Sequence, residues 1–222
     1  ALSASLPVAA HAHKAWLLPS STVLSGKEDL AITVDAAASN DLFYFEHFPL
    51  QREGIGKPLE MPRAPQAAQG DKPAPAPMRR PANKLVILAP DGNEVEAQNG
   101  AVGRYRSTFD VHLTQKGTYK LAVASSGLMA TWKEGEERRR WMGKAEDLKQ
   151  AIPANASELR IIQSNNRMET FVTAGNPSDK VLAPTNHGLE LVPVTHPNDL
   201  FAGEAAEFTF LLDGKPAKDV EI

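Results

Sequence analysis

Residues 104–113 read Arg104-Tyr105-Arg106-Ser107-Thr108-Phe109-Asp110-Val111-His112-Leu113. Phe109, Val111 and Leu113 fall on one side of a two-residue repeat; Asp110 and His112 fall on the other. Alternation of this kind belongs to a β-strand with one face buried and one wet, because successive side chains leave an extended backbone on opposite sides.

The same period recurs on both sides of this stretch. Upstream, Leu30, Ile32 and Val34 alternate with polar or small neighbours, and Leu85-Val86-Ile87-Leu88 runs into the turn Pro90-Asp91-Gly92-Asn93. Residues 16–19 close a first short strand. Residues 41–48, Asp-Leu-Phe-Tyr-Phe-Glu-His-Phe, read as a third strand dense in aromatics. Downstream, Gly117-Thr118-Tyr119 leads into Leu121 and Val123, and a Tyr at the head of such a strand resembles the tyrosine corner of immunoglobulin-like sandwiches. Residues 128–133 and 168–173 read as further strands, with a charged hairpin at 134–140 and one short helix at 144–150, stopped by Pro153. After Pro184 a second unit begins: residues 189–194 are strand-like, and Ala206, Phe208, Phe210 and Leu212 share one face.

The fold class is therefore all-β: an immunoglobulin-like β-sandwich at residues 11–183, followed by a truncated second β-sandwich module at 187–222. Two or three strands do not close a sandwich core by themselves. Residues 49–81 interrupt the pattern. They hold eight of the chain's 17 prolines and little periodicity, which predicts a mobile inserted loop with little to bury.

Composition narrows the function. A net charge of −3 supplies no basic field for nucleic acid. No apolar run is long enough to span a membrane as a helix. With no cysteine, thiol catalysis and thiolate metal sites are excluded, and imidazole and carboxylate remain the useful metal ligands. Gly-x-Ser-x-Gly, His-Glu-x-x-His and a Gly-rich phosphate loop are all absent, so the chain reads as a non-enzyme.

Residues 1–10 read as the remnant of a signal peptide, with Val8 and Ala10 suited to cleavage before His11. The chain would then be exported, to a Gram-negative type of periplasm, and begin His11-Ala12-His13. Its free amine, two backbone amides and the imidazole of His13 would supply four in-plane nitrogens, a geometry that Cu²⁺ and Ni²⁺ favour. The same spacing equally fits two idle side chains on an exposed strand. His47 follows Glu46 at the end of the aromatic stretch, and Asp110 and His112 share a strand face, where carboxylate and imidazole have the means to share a cation. The candidate metal ligands are thus His11, His13, His47, Asp110 and His112. His187 and His196 sit in turns and read as structural.

Several segments in order carry a resemblance. They are Ala10-His11-Ala12-His13 before Trp16-Leu17-Leu18-Pro19-Ser20, residues 41–47, Leu88-Ala89-Pro90-Asp91-Gly92, Gly117-Thr118-Tyr119, residues 169–178, and Gly188 to Pro193 with Thr195-His196-Pro197-Asn198-Asp199. Together they resemble the bacterial exported domain-of-unknown-function family grouped with periplasmic components of cobalt and nickel uptake systems. The resemblance implies two β-sandwich modules, a periplasmic location, and Ni²⁺ or Co²⁺ as the ion, with Cu²⁺ a third candidate and a membrane importer component as partner. A second class stays open: a non-catalytic immunoglobulin-like binding or adhesion module for a sugar or protein partner.

Overall fold

A computed structural model describes residues 13–26, 29–55, 84–218 and 220. Residues 1–10, read above as a signal-peptide remnant, His11 and most of the Pro-rich segment lie outside the described residues. In chain order the strands are β1 (Lys14–Pro19), β2 (Val23–Leu24), β3 (Ala31–Ser39), β4 (Phe48–Pro49), β5 (Leu85–Leu88), β6 (Glu94–Val95) and β7 (Gln98–Val102). They continue with β8 (Ser107–His112), β9 (Gly117–Glu134), β10 (Glu137–Gly143), β11 (Ser157–Ala174), β12 (Leu189–Pro193), β13 (Phe208–Leu212) and β14 (Lys215–Pro216). Helix among the described residues is confined to short turns at Ala145–Asp147, Leu148–Ala151 and Lys180–Leu182, so the all-β reading holds.

Two sheets face each other. One runs β1-β3-β8-β7, with β4 added to β3; the other runs β2-β11-β9-β5-β6, with β10 added to β9. The alternation in β8 works as its sequence dictates. Phe109 and Val111 are inside, packed with Ile32 and Val34 of β3 against Ile87, Tyr119, Leu121 and Val172 of the opposite sheet. Each such side chain contributes about 1.5–3 kcal/mol by leaving water. The hydroxyl of the fully buried Tyr119 accepts the Gln115 N–H at 2.9 Å, the backward bond of a tyrosine corner.

Residues 41–48 depart from the expected strand. Only Phe48 and Pro49 pair with β3, opposite Ala38 and Ala37. Phe43 sits at φ +68°, outside the extended region, and the Asn40 N–H bonds to the Glu46 carboxylate instead of a neighbouring strand. Aromatic density favoured a strand, but the turn after β3 won. The start of the Pro-rich segment also departs from expectation. Leu50 and Ile55 are buried in the main core, and the Leu85 N–H bonds to the Glu53 carbonyl. A segment rich in proline still supplies two apolar anchors before it leaves the sandwich. β9 and β11 are longer than their patterns suggest, 18 residues each, and pair without interruption from Thr131 and Arg160 down to Gly117 and Ala174.

The second unit is the three-stranded sheet β12-β13-β14. Its joint to the sandwich is polar and directional. The Asn198 N–H donates to His196 Nδ1 at 3.1 Å, which leaves Nε2 as the protonated nitrogen, 3.0 Å from the Thr118 hydroxyl. Thr173 donates to Asn198 Oδ1 at 2.9 Å, and Asn198 Nδ2 donates to the Phe171 carbonyl at 3.0 Å. His196 thus serves as a hydrogen-bonded structural histidine. The buried Glu190 carboxylate takes the Thr185 N–H and hydroxyl and the Asn186 N–H, with the Arg167 guanidinium 3.8 Å away. Arg167 in turn holds Glu169 at 3.0 Å.

The placement of Ile55 generates a stability prediction. Ile55→Ala should cost about 2–5 kcal/mol in denaturant unfolding, the range for a truncated core isoleucine. A loss near zero would mean that the segment after β4 contributes nothing to the core.

Candidate functional site

The strand that organises the site is β3. Near its end it is paired on one side with β1, Lys14 opposite Ser39, and on the other with β4, Phe48 opposite Ala38. The residues that flank those pairs, His13 and His47, come together although 34 positions separate them in the chain. Their ring centroids lie 4.4 Å apart, nearly edge to face. Phe48 lies 5.2 Å from the His13 ring. The Glu46 carboxylate is 3.8 Å from His47 Nε2 and also accepts the Asn40 N–H at 2.9 Å, which orients it.

The loop carrying His47 is held by Trp16. Its indole N–H donates to Ser39 Oγ at 2.8 Å in a buried bond, and that hydroxyl donates to the Asp41 carbonyl at 2.5 Å. The Trp16 ring packs on Phe43 and Phe45, with centroids 5.5 and 5.3 Å away. Such aromatic pairs are worth about 0.5–1.5 kcal/mol each beyond area burial. The Arg106 guanidinium lies 4.7 Å over the Phe45 ring and 3.4 Å from the Asp35 carboxylate. Phe43, Tyr44 and Phe48 remain exposed, so the loop is an apolar surface fixed from beneath. A cleft of about 410 Å³ opens beside Trp16 and Phe43 and is also lined by Phe171, Leu191 and Arg167.

The other two ligand candidates stand elsewhere. Asp110 accepts from Asn99 Nδ2 at 2.8 Å and from the Thr33 hydroxyl at 2.7 Å, and these bonds hold its carboxyl below the usual carboxylate range. His112, opposite Ala31, is exposed on the same strand. Ala31 and Ser39 are eight steps apart along β3, roughly 26 Å at about 3.3 Å per residue. The five candidates therefore do not form one centre: His13 and His47 meet, Asp110 and His112 lie at the other end of the strand, and His11 lies outside the described residues. Among the described residues no group of three or more His, Asp or Glu side chains is arranged to share an ion. Two imidazoles with a carboxylate nearby offer a partial set of the nitrogen-rich kind that suits nickel, cobalt, copper and zinc. The role of Trp16, Ser39 and Arg106 beneath the loop was not readable from spacing; the one signal was the aromatic density of residues 41–48.

An all-β sandwich carrying a histidine pair at one strand end defines the class of architecture and site, without defining an activity. Over residues 10–222 the chain matches the family described as Domain of unknown function (DUF4198), and it belongs to that family. No curated protein and no solved structure matches it.

Replacing Ser39 tests how the loop is held. Ser39→Ala leaves the buried Trp16 N–H without its acceptor and should cost about 1–3 kcal/mol. Denaturant unfolding followed by tryptophan fluorescence reads this directly; unchanged stability would show that the bond does not secure the loop.

Proposed function

We propose that this protein is an exported, non-catalytic metal-binding accessory protein that takes up Ni²⁺ or Co²⁺ as cargo for a membrane importer. The observation that carries the reading is the contact between His13 and His47, which directly precede β1 and β4 on either side of β3. Paired neutral imidazoles are good donors for these borderline cations, and Glu46 stands close enough to His47 to balance charge. The sequence adds His11 two residues before His13, and the family resemblance adds the link to cobalt and nickel uptake and the periplasm. A second reading, a binding module for a sugar or protein partner, draws on the exposed Phe43, Tyr44 and Phe48.

Calorimetry with Ni²⁺, Co²⁺ and Cu²⁺ separates the two, run on the chain with residues 1–10 and on the chain that begins at His11. Affinity should follow Cu²⁺ above Ni²⁺ above Co²⁺, and be higher for the chain beginning at His11. It should rise with pH, because an imidazole binds a metal ion only through an unprotonated nitrogen. His47→Ala should weaken Ni²⁺ binding by roughly tenfold or more, at about 1.4 kcal/mol per tenfold. His112→Ala should leave it unchanged. If His47→Ala binds Ni²⁺ as the parent does, the pair is not the site, and the partner-binding reading leads.

A further inference from the structure

The outer halves of β9 and β11, together with β10, form a three-stranded arm whose register brings cations together. Across it Arg140 lies opposite Thr131, which lies opposite Arg160; one step outward Arg138 lies opposite Lys133. Residues directly opposite one another share a face, as do residues two apart on one strand. Arg138, Arg140, Arg160 and Lys133 therefore project from the same face. Arg139 alternates to the other side, where Glu134 and Glu137 neutralise it.

A single carboxylate answers the four cations. Glu158 sits in the bulge where the β9–β11 register slips between Ser157 and Arg160, at φ +51°. It accepts from Lys133 at 2.5 Å and lies 3.8 Å from Arg138. The hydrogen bond from Lys133, followed by the charges of Lys133 and Arg138, holds its carboxyl below the ordinary range, so it stays ionised near neutrality. Among the described residues Arg140 reaches only the Met142 sulfur, at 3.4 Å, and Arg160 has no ion pair.

These side chains surround a cavity of about 240 Å³, lined by Thr131, Trp132, Lys133, Arg138, Glu158 and Arg160. The Trp132 side chain, between Thr131 and Lys133 and opposite Arg139, leaves the strand on the other face. The cavity thus offers an ammonium, two guanidiniums and a hydroxyl, against one internal carboxylate. Guanidinium forks match the oxygens of a phosphate group in two-point bonds. The net charge of the whole chain is −3, so this basic face is a local feature.

We infer that this cavity is an oxyanion site that takes a phosphate group, with Glu158 as the internal anion that an incoming phosphate displaces. The phosphate is either free or carried on a lipid headgroup presented to the arm.

Two probes distinguish the sources: calorimetry of the full chain with inorganic phosphate, and co-sedimentation with phosphatidylcholine vesicles with and without phosphatidylglycerol. Binding to either probe is expected. Arg160→Glu, on an exposed position, should weaken it by roughly tenfold or more, since a repulsive charge replaces a charge-assisted bond. Glu158→Gln should tighten it by removing the competing carboxylate. Sedimentation only with phosphatidylglycerol vesicles assigns the headgroup; phosphate binding without sedimentation assigns the free anion. The inference is overturned if the parent chain binds neither probe, or if Arg160→Glu binds as the parent does. Arg160→Glu should leave the melting temperature unchanged, which keeps that outcome readable.

Discussion

The hydrogen bond from the Trp16 indole to Ser39 is the constraint on which the candidate site depends. It ties β1 to the last residue of β3 at the point where the chain must turn. Because the Ser39 hydroxyl in turn donates a hydrogen bond to the Asp41 carbonyl, the same chain of bonds sets the start of the following loop. Phe43 and Phe45 then close over the indole, and the chain returns to β3 as β4 with His47 beside His13. An indole N–H in that position demands an acceptor, since an unmade buried bond costs more than a made one contributes. Ser39 is itself fully buried, so water does not substitute for it.

How much of this was legible depends on the range of the interaction. The alternation of Phe109, Val111 and Leu113 was legible because a strand's face is set by its own residues, and all three are buried. Tyr119 was legible because its partner, Gln115, is four residues away. The aromatic stretch at 41–48 was misread because β-propensity reports fit to a half-buried surface, and these side chains found that surface on Trp16 without joining a sheet. Leu50 and Ile55 were hidden by the prolines that follow them. Ser125-Ser126-Gly127 reads as a break, yet β9 runs through it, held by its pairing with β11.

The site shows the same division. Asp110 and His112 share a face, as their two-residue spacing dictates, but the Asp110 oxygens are already engaged by Thr33 and Asn99. The pairing of His13 with His47 is a product of sheet register across β3, which no spacing along the chain reveals. The gathering of Arg138, Arg140, Arg160 and Lys133 on one face is likewise a product of register, between β9, β10 and β11. Both features arise where strands from distant parts of the chain are aligned, one near the end of β3 and one along the β9–β11 arm.

The central claim is that His13 and His47 act as one ligand pair. The most direct test is a double-mutant cycle on Ni²⁺ affinity, with His13→Ala, His47→Ala and the double variant in one background. If the ion is held between the two rings, the single losses do not add, and a coupling energy of at least about 1 kcal/mol is predicted. Additive losses, or a loss confined to His13, would contradict the account and leave His47 outside the site.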